Sequence, residues 1–524
     1  MSVSSLNDEF DRLVQDLLQT WHVPGLAIAV IDGASTFSKV SCHIRITALI
    51  LTRYEGYGLA SLPDVPVTPE TVFFTASTTK SFTAASVSLL IDEAVSTEAT
   101  EKIPPGFSWT STISSVIPED FALENEYATS RVTFEDALSN RSGFPDHLKS
   151  FKPKTTSLQD GIRSLRHLPL AAELRSQYLY SSYMFSAVSH AIESMTGQGL
   201  GEFMRERIWS PLNMTNTYWT PQEVKEAASR GITLAHGYAW NASTEAYTEE
   251  AIPNFPVVSG AGAIISNVLD YTKWLRCMMT QSGPISRAAH SALIEPHIYY
   301  TEQATNPFPA PHAYALGWRI DSYRGRRLIW HTGSWTGYGS TMMYLPDLQW
   351  GLVMMGNTTG TSNYVQTALY MHLLDELLET PVCERIDWSM KMLELRDRRR
   401  VDNGNALVRL YPELPCSVDA PLLSLEGYTG RYHHAGYGDM EFELRGNELV
   451  ASRLLYEVAM VIRMVHVTGE SWTAKLEVVN QDPRDHDIVR ARFHVTDDGI
   501  AGQIGLDLEP ALQGQMICFE RVAP

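Results

Sequence analysis

The sequence predicts an α/β (α+β) fold followed by a small C-terminal β-barrel, and three observations carry that prediction. Strand-like apolar runs stand at both ends of the first 400 residues, "GLAIAVIDG" at 25–33 and the series from "RRLIWHTGS" to "WGLVMMGN" at 326–357. Between them, from 77 to about 300, the apolar residues recur mainly at helical spacing. Beyond 425 only short strand candidates with turns between them remain.

The elements follow in order. The first helix places Phe10, Leu13, Val14, Leu17, Leu18 and Trp21 on one side, with Ser5 and Asp8 spaced as a capping box. A buried strand over 25–33 closes on Asp-Gly, and a second strand candidate is "GYGLA" at 56–60. Between them lies "VSCHIRITALILTR", 40–53. It reads as an added edge strand or, alternatively, as retained intron sequence, because Val-Ser translates the common intron start GTAAGT and the segment interrupts a tight hairpin. "STTKSFTAASVSLLIDEA" (77–94) and "YMFSAVSHAIESMTG" (183–197) are helical, the latter ending at Gly197 as its C-cap. A Gly-rich turn, "VVSGAGAIIS", leads into "NVLDYTKWLRCMM", with Leu269, Trp274, Leu275 and Met278 as the buried face. Strands return as "ALGWRIDS", "RRLIWHTGS", "GSTMMYLP" and "WGLVMMGN", followed by helices over 363–379 and about 385–399. The expected organisation is a catalytic domain over 1–400, an aperiodic linker over 401–424, and a barrel over 425–524 built from "YTGRYHH", "MEFELRG", "ELVASRL", "WTAKLEVV", "VRARFHV" and "MICFERV".

Composition excludes several functions. The 524 residues exceed one small domain, and 44% apolar against 19% charged residues supports a sizeable core. A net charge of -19, with no basic run longer than "RDRRR" at 396–400, argues against a nucleic-acid partner. The five cysteines (Cys42, Cys277, Cys383, Cys416 and Cys518) are widely spaced and form no metal-binding pattern, which favours a reducing compartment. The N-terminus has no basic start or apolar core of a signal peptide, and no segment is long and apolar enough for a bilayer, so a cytoplasmic protein is expected, with no membrane partner. The sequon at Asn140 is therefore read as coincidental. Nothing in the sequence sets an oligomeric state.

Three short stretches carry chemistry. In "FTASTTKSFT", Ser77 and Lys80 share one helix face. A serine hydroxyl becomes a nucleophile when a base takes its proton, and a buried lysine can lose its own proton and serve. The bland alternative is a serine cap beside a solvated lysine, but Lys80 is the only lysine of the chain with a serine three residues before it. In "LYSSYMFS", Tyr180 precedes a helix, where a neighbouring ammonium would lower its phenol pKa and make it a base; a packed tyrosine is the ordinary reading. In "WHTGSWTGYGS", His331, Thr332, Gly333 and Ser334 end a strand. Gly333 allows close backbone approach, and the Ser334 amide is aimed at a carbonyl oxygen, although alone the motif is a turn.

Together, "STTK", "YSS" and "HTG" resemble the serine β-lactamase and penicillin-binding-protein-like superfamily, in particular its class C β-lactamase, esterase and D-aminopeptidase branch. That family has Ser-x-x-Lys, Tyr-x-Asn and Lys/His-Thr-Gly in this order and at similar intervals. "HVPGLAIAVIDG", "LSNRSGFPDH" and "ALGWRIDSYRGRRLIWHTGSWTGYGS" also look like the family, over roughly residues 20 to 400. The tail from "LEGYTGRYHHAGYGDMEFEL" is similar to the lipocalin-like domain of some members. The resemblance implies a β-lactamase/transpeptidase-like antiparallel sheet flanked by helices, with a helical subdomain. It implies Ser77 as the acylated nucleophile, Lys80 and Tyr180 sharing the acid and base work, and Ser77 and Ser334 amides as an oxyanion hole, without metal or cofactor. The implied substrate is a small-molecule ester or amide, which is hydrolysed or passed to an acyl acceptor. Two departures stand out. Ser182 occupies the Asn position and offers fewer hydrogen bonds. His331 replaces Lys, which suits esterases or acyltransferases better than antibiotic hydrolysis.

Overall fold

The computed structural model describes residues 6–33, 35–38, 55–95, 102–301, 306–309, 311–413 and 418–523. Helix α1 (Asp8–Trp21) opens the chain. Its cap is Asn7, whose side chain accepts the amides of Glu9 and Phe10; the expected Ser5 lies outside the described residues. With the cap two residues later than expected, Phe10, Val14, Leu17, Leu18 and Trp21 are buried and Leu13 is only half-buried.

Ten strands form the central antiparallel sheet among the described residues: β1 (Gly25–Asp32), β2 (Ser35–Ser38), β3 (Glu55–Ser61), β4 (Val65–Pro66), β5 (Ile298–Tyr300), β6 (His312–Tyr314), β7 (Arg319–Tyr323), β8 (Arg326–Trp335), β9 (Tyr338–Leu345) and β10 (Trp350–Gly356). Their order is β4-β3-β1-β10-β9-β8-β7-β6-β5, with β2 also on β1. The sheet is covered on both faces, so β1 is apolar throughout. Leu26, Ile28 and Val30 join the cluster of α1 and helix 361–377, while Ala27, Ala29 and Ile31 join the cluster of the helical side. Two short strands at one end of the sheet, β5 and β6, were not legible, because three residues carry no period.

One register bears on residues 39–54. Along β1, Ala29 pairs with Ser38 and the next position, Ile28, pairs with Glu55. Strands β2 and β3 thus occupy successive places on one edge, as a single uninterrupted strand would. The segment 40–53 itself, read as an edge strand or retained intron, lies outside the described residues. A chain lacking 39–54 should fold with an unchanged sheet, which circular dichroism and thermal unfolding would check; loss of folding would show that the segment is required.

The buried helix α2 (Thr79–Ala94) runs beneath the sheet, beside α3 (Ser182–Thr196) and α4 (Val268–Thr280). Helix α3 ends on Gly197 at φ 73°, as its sequence predicts. In α4 the buried face is Val268, Tyr271, Trp274, Leu275 and Met278, whereas the expected Leu269 is half-buried. Asn267 caps this helix, and that sets the phase of its face. Helix α5 (Thr361–Leu377) and α6 (Trp388–Gly404) complete the opposite layer.

Residues 401–410 are helical rather than aperiodic: α6 continues to Gly404 and α7 (Ala406–Leu410) follows. Tertiary contacts outweigh weak propensity here. Arg400 pairs with Asp482 and Asp485, and Asn403 donates to the carbonyls of Arg484 and His486. The tail is a closed eight-stranded barrel: β11 (Gly430–His434), β12 (Gly438–Arg445), β13 (Glu448–Arg453), β14 (Met460–Thr468), β15 (Ser471–Val478), β16 (Asp487–Val495), β17 (Ala501–Leu506) and β18 (Ile517–Arg521). Closure removes exposed strand edges. Strands β14 and β17 escaped the sequence reading, the first lacking clean alternation and the second carrying two glycines. The barrel grips one loop of the catalytic body: Glu509 accepts the His147 amide at 2.8 Å, Lys149 pairs with Asp487, Arg453 donates to the Lys149 carbonyl, and Lys152 donates to the Gly436 carbonyl. Among the described residues, no helix is long and apolar enough to cross a membrane.

Candidate active site

The site is built on the turn that starts α2. Ala76 holds a left-handed φ of 47°, which is unfavourable for a residue with a Cβ. The turn is pinned on all sides. Thr75 bonds the Ile264 carbonyl through both its amide and hydroxyl, Tyr271 donates to the Thr75 hydroxyl, Thr79 bonds the Ala76 carbonyl, and the Ser340 hydroxyl holds the Thr75 carbonyl at 2.7 Å. Ser77 is thereby left half-buried.

Three side chains converge. Tyr180 donates its phenol hydrogen to Ser77 Oγ at 2.8 Å, and Lys80 Nζ lies 3.2 Å from the same oxygen. Lys80 is fully buried and also donates to the Ala261 carbonyl at 3.1 Å. Its ammonium end stands 4.7 Å from the centre of the Tyr180 ring and 5.3 Å from that of Phe185. Burial brings the Lys80 amine down to about 7, Asp146 opposing and Arg319 adding to the effect. The amine therefore titrates near neutrality.

Tyr180 behaves opposite to the sequence expectation. Burial holds its phenol well above the usual value, outweighing the Ser77 hydrogen bond and the Arg319 charge that oppose it. A lowered phenol requires a full positive charge beside it, and burial works against the charge on Lys80 as well. Tyr180 is a proton donor in this geometry.

Strand β8 brings the third motif against the turn. A Cβ on Gly333 would collide with the Thr75 carbonyl, and the Asn363 amide donates to the Gly333 carbonyl at 3.1 Å. Gly333→Ala should therefore push β8 off the turn at residues 75–77. We expect a loss of roughly 1–3 kcal/mol of stability and a larger loss of activity, checked by thermal unfolding beside turnover. His331 is buried and tied at both nitrogens. Its Nδ1 donates to the Thr332 carbonyl at 2.7 Å and its Nε2 accepts from Tyr314 at 3.0 Å, an arrangement that assigns the tautomer. Burial, with Arg319 and Lys80 nearby, keeps its ring well below the usual value and neutral. Thr332 and Ser334 flank Gly333 on this strand; Thr332 is half-buried and Ser334 is exposed.

Ser182 bonds Asp146. It is the first residue of α3, and its amide donates to Asp146 Oδ1 at 2.7 Å. Asn140 is fully buried and accepts the Ser181 amide at 3.0 Å, so its sequon serves no glycan. Asp146, Asn140 and the Ala261 carbonyl were missed from sequence. Each acts across many intervening residues, and only "LSNRSGFPDH" hinted at two of them.

Fold and site together define a β-lactamase-type serine constellation under a mixed helical cover. A profile of the beta-lactamase family matches residues 10–376, and the chain belongs to that family. A domain of unknown function (DUF3471) matches 416–521. The chain is 34% identical over 523 residues, 98% of its own length and 92% of the relative's, to the unguisins hydrolase ungD' of Aspergillus campestris. It is also 34% identical to the unguisins hydrolase ungD of Aspergillus violaceofuscus, over 97% of this chain and 89% of that one. Among solved structures, the octameric penicillin-binding protein homologue from Pyrococcus abyssi superposes with a TM-score of 0.60 at 18% identity, covering 98% of this chain and 99% of that one. The D-amino acid amidase from Ochrobactrum anthropi SV3 superposes with a TM-score of 0.54 at 19% identity, over 71% of this chain and 99% of that one.

Proposed function

We propose that the chain is a serine hydrolase that forms an acyl-enzyme on Ser77, with a small-molecule amide or ester as substrate. The observation that carries this is one oxygen, Ser77 Oγ, held between the Lys80 amine at 3.2 Å and the Tyr180 hydroxyl at 2.8 Å. Neutral Lys80 takes the Ser77 proton as Oγ bonds the substrate carbonyl carbon. The carbonyl oxygen becomes an oxyanion, received by the amides of Ser77 and Ser334. The tetrahedral intermediate then expels its amine or alcohol, which leaves with the Tyr180 proton, and Lys80 returns its proton to Tyr180. Water repeats the sequence on the ester carbonyl, freeing the acid and restoring Ser77. The relatives' name supports a substrate akin to unguisins. A neutral His331 offers no cation to a substrate carboxylate, which weighs against dedicated β-lactam hydrolysis. If an added amine or alcohol captures the acyl group faster than water, the activity is transfer instead.

The protonation of Lys80 sets the pH dependence. The amine is a base only when uncharged, so acylation should rise with pH through about 7 and level off above it. Initial rates of Ser77 labelling by a fluorophosphonate across pH 5 to 9 (about one unit apart or less) test this. A flat profile would remove Lys80 as the base.

A further inference from the structure

Tyr180 and Ser181 form an irregular segment just before α3, which begins at Ser182. Such a segment holds a catalytic hydroxyl in place only if something fixes its backbone. Two side chains of one loop do so: Asn140 accepts the Ser181 amide at 3.0 Å, and Asp146 accepts the Ser182 amide at 2.7 Å. Ser181 itself makes no side-chain cap, so the Asp146 carboxylate fills that place at the positive end of a 15-residue helix. The Ser182 hydroxyl bonds the same carboxylate. Ser182 stands where the family resemblance expects an asparagine, and its amide and hydroxyl are both directed at Asp146.

We propose that Asp146 is a positioning residue of this reaction: it fixes the chain that carries Tyr180 and keeps a negative charge opposite Lys80. This rests on the acyl-enzyme reading above. The charged and titratable groups around the pair come from every neighbouring element. Arg319 of β7 and His331 of β8 interact electrostatically with Lys80, and Tyr178, Tyr180, Tyr183 and the barrel's Glu509 do so with Asp146. Burial raises the Asp146 carboxyl, while the Ser182 amide and the Lys80 charge favour its ionised form. The barrel contributes to the placement, since Glu509 holds the amide of the adjoining His147.

The test is the pH profile of fluorophosphonate labelling in full-length protein. Asp146→Asn keeps an oxygen for the Ser182 amide and removes the charge. Without that charge Lys80 loses its proton more easily, so the rising limb should move to lower pH, by about one unit. Asp146→Glu, which keeps the charge, should hold the limb at its original place. Asp146→Ser, run in parallel, must show the same downward shift as Asp146→Asn. Asp146→Ala should in addition lower the plateau rate, because the start of α3 loses its acceptor. A limb that does not move in Asp146→Asn or Asp146→Ser, with Ser77 still labelled, overturns the proposal. Labelling of the parent protein at a residue other than Ser77 would overturn the acyl-enzyme reading instead.

Discussion

Ser77→Ala should abolish covalent labelling and reduce turnover by at least about a thousandfold, because Ser77 Oγ is the oxygen that both Lys80 and Tyr180 bond. Folding should survive. Ser77 is half-buried at a turn whose backbone is fixed by Thr75, Thr79, Tyr271 and Ser340, none of which needs the Ser77 hydroxyl. Losing its two hydrogen bonds should change stability by about 1–2 kcal/mol at most. Thermal unfolding and turnover are measured on the same preparation. Persistent turnover in a folded variant would place the nucleophile elsewhere.

Tyr180→Phe should cost roughly 10²- to 10⁴-fold in kcat, with KM little changed. The phenol is raised by burial and donates to Ser77 Oγ, so it is placed to protonate the leaving group rather than to take a proton. Poor leaving groups need that proton most. The loss should therefore be large for amides and smaller for esters of acidic phenols, whose leaving groups depart unaided. An equal loss for both would assign Tyr180 to the first proton transfer. No loss for either would remove it from the chemistry.

Much of this site was legible because its candidate residues travel in short motifs. Ser77 and Lys80 share a turn, and His331 to Ser334 share a strand end, so local spacing already implies their proximity. The main sheet was legible where strands are long and bury both faces, as in β8, β9 and β10. What escaped was whatever depends on distance along the chain. The Ala261 carbonyl that receives Lys80 lies in a stretch that reads only as a Gly-rich turn, and its four-residue helical turn, Ser259–Gly262, has no apolar period of its own. Asp146 carries no signature of its role, because its partner Ser182 is joined to it only by the folded chain. The direction of the Tyr180 shift was misread for a related reason. A sequence shows that a lysine is near, but it does not show that both groups are buried and that burial acts on each in the direction of neutrality.

The barrel gives a similar lesson. Its existence followed from alternating strands, but its grip on the loop 147–152 through Glu509, Asp487 and Arg453 follows only from the closed fold. That grip ties the placement of Asp146 to a part of the chain more than three hundred residues away.

The central claim is that a substrate carbonyl becomes covalently attached to Ser77. Rapid acid quench of the enzyme during turnover of a slowly hydrolysed amide or ester, followed by peptide mass mapping, addresses it most directly. The account predicts one peptide, containing Ser77, heavier by the acyl group alone, with its population falling as substrate is exhausted. Turnover without any acylated peptide, or acylation at another residue that follows the same time course, would contradict it.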